Sequence, residues 1–243
     1  MRAGFGRMLV LATLVVGCGE DTIGPTGVTP TEAFGRIRFI NAVPNAAPVN
    51  VTVDGVPMGV NLIYGPPPPT STATSATVYN AAYGGNRRFV VTRTADPTVT
   101  VIDAQVAITT DTSQTIYATT QGTTNNFFVT LDNLQLPSGS QVKLRAVHLA
   151  PGMGNVDVYV TAPNADITAL TPQFANVAPR AATDYLTLAR ATYQVRFTTA
   201  GTKTVRLSAT VTPPTGTAPI IRTVLALDPL TGTTPISVVY NDR

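Results

Sequence analysis

Lys143-Leu-Arg-Ala-Val-His-Leu-Ala-Pro-Gly-Met-Gly-Asn-Val-Asp-Val-Tyr-Val160 has a counterpart 107 residues earlier, Arg36-Ile-Arg-Phe-Ile-Asn-Ala-Val-Pro-Asn-Ala-Ala-Pro-Val-Asn-Val-Thr-Val53. Laid over one another without a gap, the two copies superpose Arg38 on Arg145 and Pro44 on Pro151. Val49, Val51 and Val53 fall on Val156, Val158 and Val160. After the proline each copy alternates apolar and polar residues, the period of a β-strand with one buried face and one wet face. The chain reads as two copies of one β unit.

A repeat spacing of about one hundred residues is a common domain size, and 243 residues hold two such units. Turn signals recur along both copies at the spacing of a sandwich, among them Asp54-Gly55, a two-residue hairpin signal. Charged residues make up 12% of the chain, Trp is absent, and 19 Gly and 20 Pro suit short strands joined by tight turns. The expectation is an all-β protein with two tandem immunoglobulin-like antiparallel β-sandwich domains, over 34–135 and 142–243, joined by a short linker at 136–141. So brief a linker predicts a fixed or narrowly hinged pair. A second run, Tyr193 to Thr199, stands about where Arg87 to Arg93 stands in the first copy, so the repeat extends past its opening motif.

The first residues point outside the cytoplasm. Arg2 and Arg7 precede a short apolar run from Met8 to Val16, the order of a secretory signal, at roughly half the ~20 residues a membrane-spanning helix needs. Val15-Val16-Gly17-Cys18 resembles the lipobox of bacterial lipoproteins, which implies a signal peptide over 1–17 and an acyl anchor on Cys18, the sole cysteine. Residues 18–33 are small, polar and proline-broken, a lipidated flexible tether. Removal of the signal leaves fourteen basic residues against thirteen acidic ones, and no basic run offers a nucleic-acid surface. Gly19 beside the anchor favours the outer membrane over inner-membrane retention; which face of it the chain occupies is open. Four prolines, Pro66 to Pro69, predict a stiff exposed loop.

Leu144-Arg-Ala-Val-His-Leu-Ala-Pro151 followed by Val156-Asp-Val-Tyr159 resembles the opening of the bacterial family catalogued as domain of unknown function 4397. The first copy is similar but has Asn41 where the motif has His and Asn50 where it has Asp. The resemblance implies a β-sandwich, often in tandem, on secreted or lipid-anchored proteins, and no established activity. It marks Arg38, Asn41, Pro44, Arg145, His148, Pro151 and Asp157 as motif residues, read here as structural. Arg145 and Asp157 are candidates for a bidentate pair bracing the proline turn.

Catalytic chemistry finds little to work with. His148 is the single histidine, so any Ser-His-Asp arrangement could exist only around it, and no Gly-x-Ser-x-Gly elbow is present. Cys and His clusters for zinc and the acidic spacing of a calcium loop are missing, so no cofactor and no metal are expected. Asp132-Asn133 and Asn241-Asp242 end the two copies as terminal turns. Sugar sites use aromatic platforms, and Tyr79 and Tyr83 flank a glycine turn where they could serve as ligand contacts. The reading is a non-enzymatic cell-envelope lipoprotein with a structural, adhesive or protein-interaction role. Its partners are the membrane, through Cys18, and an envelope protein or glycan; a carbohydrate-binding surface module is the alternative.

Overall fold

The computed structural model describes residues 33–44, 48–65 and 78–243. The signal segment, Cys18, the tether as far as residue 32 and the four prolines lie outside the described residues.

In the span read as the first repeat the strands are β1 (Phe34–Ala42), β2 (Val49–Val53), β3 (Val56–Leu62), β4 (Asn80–Tyr83), β5 (Gly85–Arg93), β6 (Thr100–Ile108), β7 (Ser113–Gln121) and β8 (Thr124–Leu131). The second repeat holds β9 (Gln141–Leu149), β10 (Val156–Thr161), β11 (Phe174–Val177), β12 (Ala181–Ala182), β13 (Leu186–Ala189), β14 (Tyr193–Thr199), β15 (Val205–Val211), β16 (Ile220–Leu227) and β17 (Ile236–Asn241). Only a single 3-10 turn, Pro151–Met153, interrupts this pattern among the described residues. The fold is all-β, as the composition and the alternation required. Asp54 and Gly55 carry the turn between β2 and β3 at φ 50° and 83°, the paired positive values of a type I′ hairpin.

Four sheets result. The first repeat pairs β4-β1-β7-β8 and β3-β2-β5-β6; the second pairs β12-β9-β16-β17, with β13 also on β9, and β11-β10-β14-β15. Most neighbours are antiparallel, but β1 runs parallel to β7 and β9 parallel to β16. The expectation of wholly antiparallel sheets is corrected at these two pairs. From β1 the chain passes to β2 in the opposite sheet and returns antiparallel beside β1 as β4; it leaves again through β5 and β6, and this long connection to β7 frees β7 from the hairpin constraint.

Each repeat closes its own core. Phe39 of β1, Val51 of β2, Phe89 of β5 and Ile116 of β7 meet in one cluster; Leu144 of β9, Val158 of β10, Phe197 of β14 and Val224 of β16 meet in the other. A third cluster lies between the repeats, with Ile40, Ala42, Tyr64 and Tyr117 from the first against Val147, Leu149, Leu225, Leu227 and Tyr240 from the second. The sheets containing β1 and β9 therefore face each other, and both faces of each are covered. Neither strand shows a wet face: β16 is buried at every position, and β1 at all but Phe34 and Arg36. The wet face expected after the proline is kept on β2, where Asn50 and Thr52 are half-buried, and corrected on β10, where Asp157 and Tyr159 are 5% and 1% exposed. Residues 33–243 form one compact unit, and β9 begins at Gln141, inside the segment read as linker.

Candidate functional site

The polar residues of the opening motif are carried by β1 and β9 to the seam between the repeats. Alternation sends Phe39 into the first core and Arg38 to the seam; on β9 it sends Leu144 into the second core and Arg145 to the seam. Arg38 Nη2 donates to Asp242 Oδ1 across the seam at 2.6 Å, and its Nε donates to Thr115 Oγ1 at 2.7 Å. Arg145 Nη2 donates to Asp132 Oδ1, again across the seam, and its Nε donates to Thr223 Oγ1 at 2.9 Å. The two hydroxyls complete the circuit: Thr115 donates to Asp132 Oδ2, and Thr223 donates to Asp242 Oδ2 at 2.5 Å. Six side chains thus form a closed ring, Arg38, Asp242, Thr223, Arg145, Asp132 and Thr115. All six are buried.

Every member has a counterpart of the same residue type in the other repeat. A flanking tyrosine repeats the rule, with the Arg38 guanidinium 4.8 Å from the Tyr79 ring centre and that of Arg145 4.8 Å from the Tyr185 ring centre. Tyr79 also donates its hydroxyl to Asp132 Oδ2 at 2.7 Å. Burial pushes the Tyr79 phenol up and Asp132 adds to that, so it stays an O–H donor. Burial works against both guanidinium ions, but Asp242 beside Arg38, and Tyr117 and Asp132 beside Arg145, outweigh it and hold them charged. Charges kept this far from water persist because each one is paired and hydrogen-bonded. Such an arrangement holds two sheets in one register; its groups are occupied with one another.

The expected pair of Arg145 with Asp157 does not form. Alternation places Arg145 on the seam face of β9, whereas Asp157 belongs to β10 in the other sheet, on the strand face opposite Val156 and Val158. There its carboxylate accepts the Asn176 N–H at 2.7 Å and the Gly201 N–H at 2.8 Å, tying the edge strand β11 and the turn after β14 to β10. In the first copy Asn50 Oδ1 does the same work, accepting the Asn61 N–H and the Thr94 hydroxyl, each at 2.9 Å. A neutral amide oxygen is enough for that task.

His148 and Asn41 match in the same way. His148 Nε2 lies 2.7 Å from the Gly154 carbonyl oxygen, and the Ala150 N–H points at Nδ1 from 3.4 Å; these partners fix the tautomer with the proton on Nε2. Asn41 donates from Nδ2 to the Leu62 carbonyl and accepts the Val43 N–H, both at 3.2 Å. Each side chain bridges the end of its strand to the chain beyond Pro44 or Pro151, the latter opening the 3-10 turn. Burial depresses the His148 pKa, against smaller opposing effects of the Gly154 carbonyl and Asp228. The unfolded chain, with His148 near 6.5, therefore takes up this proton first as pH falls. Stability is full above about pH 6.5 and declines below it until the folded pKa is passed. His148→Asn, which copies the first repeat, is expected to flatten that decline. Thermal melts of both proteins between pH 7.5 and 5 test it; parallel curves would reject it.

The two tyrosines read as ligand contacts part company. Tyr79 is drawn into the seam, whereas Tyr83 is 46% exposed, its ring 4.6 Å from that of Phe34, itself 44% exposed. Tyr83 lines a cleft of about 520 Å³ together with Ile37, Val53, Val56, Pro57 and Met58 among others, with Arg87 over the Tyr83 ring at 5.7 Å. Among the described residues no three His, Cys, Asp or Glu gather to hold a metal, and no helix is long and apolar enough to cross a membrane.

The roles of Asp132, Asp242, Thr115, Thr223 and Tyr185 are missing from the sequence reading. Continuing the repeat alignment past its opening would have found them, since each lies 106 to 110 residues from its partner.

A family model, that of the domain of unknown function DUF4397, matches residues 35–159. No curated protein matches the chain. Among solved structures, a multi-modular glycogen-degrading pneumococcal virulence factor, SpuA, is similar over 88% of this chain at 10% identity and a TM-score of 0.27, and the chain spans only 22% of it. A Parabacteroides distasonis protein assigned to cell adhesion is similar at 10% identity and a TM-score of 0.24, with 87% of this chain and 99% of that one covered.

Proposed function

The chain belongs to the DUF4397 family, and from that premise we propose a non-enzymatic cell-envelope protein: a stiff double sandwich, tethered by an acyl group on Cys18, that presents its loops to an envelope partner. The closed ring is the observation that carries this reading. The motif groups best suited to proton transfer or ion pairing are engaged in holding strands and sheets, with His148 using both ring nitrogens on the backbone and both arginines paired to buried carboxylates. A unit braced at its centre transmits position from an anchor to a distal surface, which suits a structural, adhesive or protein-interaction role. The lipobox resemblance and Gly19 support attachment at the outer membrane.

Carbohydrate binding is the second reading, and the exposed Phe34–Tyr83 pair beside its cleft favours it, since sugars stack on such faces. One preparation separates the two. The soluble Cys18→Ser chain is crosslinked in envelope extract and applied in parallel to a glycan array. A protein partner retained by the Phe34→Ala, Tyr83→Ala double variant supports the interaction reading; array binding abolished by that variant moves the assignment to a glycan module. The anchor has its own expected outcome: Cys18→Ser should shift the protein from the membrane fraction to the soluble fraction, and an unchanged membrane share would refute acylation there.

A further inference from the structure

The seam is built from two copies of one surface, and each copy carries both halves of the lock. The first repeat contributes Arg38, Thr115, Asp132 and Tyr79, and the second contributes Arg145, Thr223, Asp242 and Tyr185. The ring contacts are reciprocal: the arginine of one repeat meets the aspartate of the other, and the reverse holds as well. Its apolar part follows the same rule, with Ile40 and Val147, Ala42 and Leu149, and Tyr117 and Leu225 at matching positions of the paired strands. Reciprocity of this kind is the mark of an isologous, two-fold interface, here inside one chain.

We infer that the seam is a self-complementary docking surface whose partner is another copy of the same repeat, with the linker only raising the local concentration. Within the ring the charge pattern does not restrict pairing to unlike repeats; the one-way contacts lie outside it, where Arg180 donates to Gln121 and the Phe127 carbonyl and Tyr64 donates to the Asp228 carbonyl. Two second repeats set face to face would bring Arg145 of each to Asp242 of the other and rebuild the same ring, with Thr223 as the relay. The apolar margin would then be Val147, Leu149, Leu225, Leu227 and Tyr240 against themselves, the second repeat's whole share of the margin observed. A short tether between two such faces gives a high effective concentration, so within one chain the intramolecular pair wins. Once the tether is cut, the surface is open to exchange.

The test uses the full chain carrying Cys18→Ser and a protease site inserted between Ser138 and Gly139, in the loop before β9. Native mass spectrometry is recorded before cleavage, after it, and after mixing with an isotope-labelled cut sample. Cleavage is expected to leave the halves as a one-to-one complex, and exchange is expected to yield dimers of the second half alone. Arg38→Asp should weaken the cut complex by about a hundredfold or more, because it sets a buried acid against Asp242. Arg38→Asp with Asp242→Arg should restore most of that affinity. Folded halves that separate on cleavage, no like-with-like dimer after exchange, or a reversed pair that fails to rescue a soluble single variant would each overturn the inference. The rescue arm distinguishes loss of docking from loss of folding.

Discussion

Asp132→Ala is expected to lower the unfolding free energy by about 3–5 kcal/mol, the cost of leaving a buried charge without its partner. Asp132 accepts from Arg145, Thr115, Thr130 and Tyr79, so its removal strands a guanidinium and three hydroxyls at once. The side chains of Arg145 and Asp132 are 2% and 0% exposed, so water cannot step in for the lost carboxylate. A contrast lies on the same protein. Arg88 and Asp103 also form a short pair, at 2.6 Å, but their side chains are 63% and 40% exposed, and Asp103→Ala should leave the melting curve where it was. Urea titrations followed by circular dichroism, compared at equal slope, measure both. Arg145→Ala in the Asp132→Ala background should recover part of the loss, because the ion then left unpaired is gone; the coupling energy of that cycle reports the ion pair itself. A cost for Asp132→Ala no larger than that of Asp103→Ala would mean that the ring contributes nothing to holding the sheets together.

The opening motif made the architecture legible, but not the purpose of its charged residues. Alternation around Val49 and Val156 placed β2 and β10, and Asp54-Gly55 placed the hairpin, because these features depend on neighbours in sequence. Arg145 was misread for the opposite reason. Its spacing to Asp157 is short, but a strand directs successive side chains to opposite faces, and the true partner, Asp132, comes from the end of the other repeat. The parallel pairs of β1 with β7 and β9 with β16 were equally hidden, since local pattern carries strand period and not strand direction. β11 and β12 carry no strand period in the sequence, since the burial of β11 does not alternate and β12 has only two residues. His148 and Asn41 show what a repeat can teach: two different side chains each accept an N–H two residues on and donate to a backbone carbonyl, so the substitution conserves hydrogen bonding rather than residue type.

Phe89→Ala asks whether the seam makes the two cores melt as one. Phe89 is fully buried, with its ring edge-on to Phe127 at 5.8 Å, and truncation should cost about 3–5 kcal/mol as transfer and cavity terms combine. That loss falls in the first core, yet it should appear as one lowered transition for the whole molecule. Opening the first sandwich alone would expose Val147, Leu149, Leu225 and Tyr240 of the second and strip Arg145 of its counter-ion, so a half-folded chain bears most of the cost with little of the gain. Coupling of this kind is a property of the ring and its apolar margin, and Asp132→Ala should loosen it. In Phe89→Ala combined with Asp132→Ala, the first sandwich is expected to melt ahead of the second, giving two steps where the single variants give one. Calorimetry resolves the outcome, with agreement between the calorimetric and van't Hoff enthalpies expected for the parent chain and lost in the double variant. Two independent transitions already present in the parent chain would mean that the sandwiches are separate beads, and a stiff two-sandwich unit would then be ruled out as the basis of the proposed role.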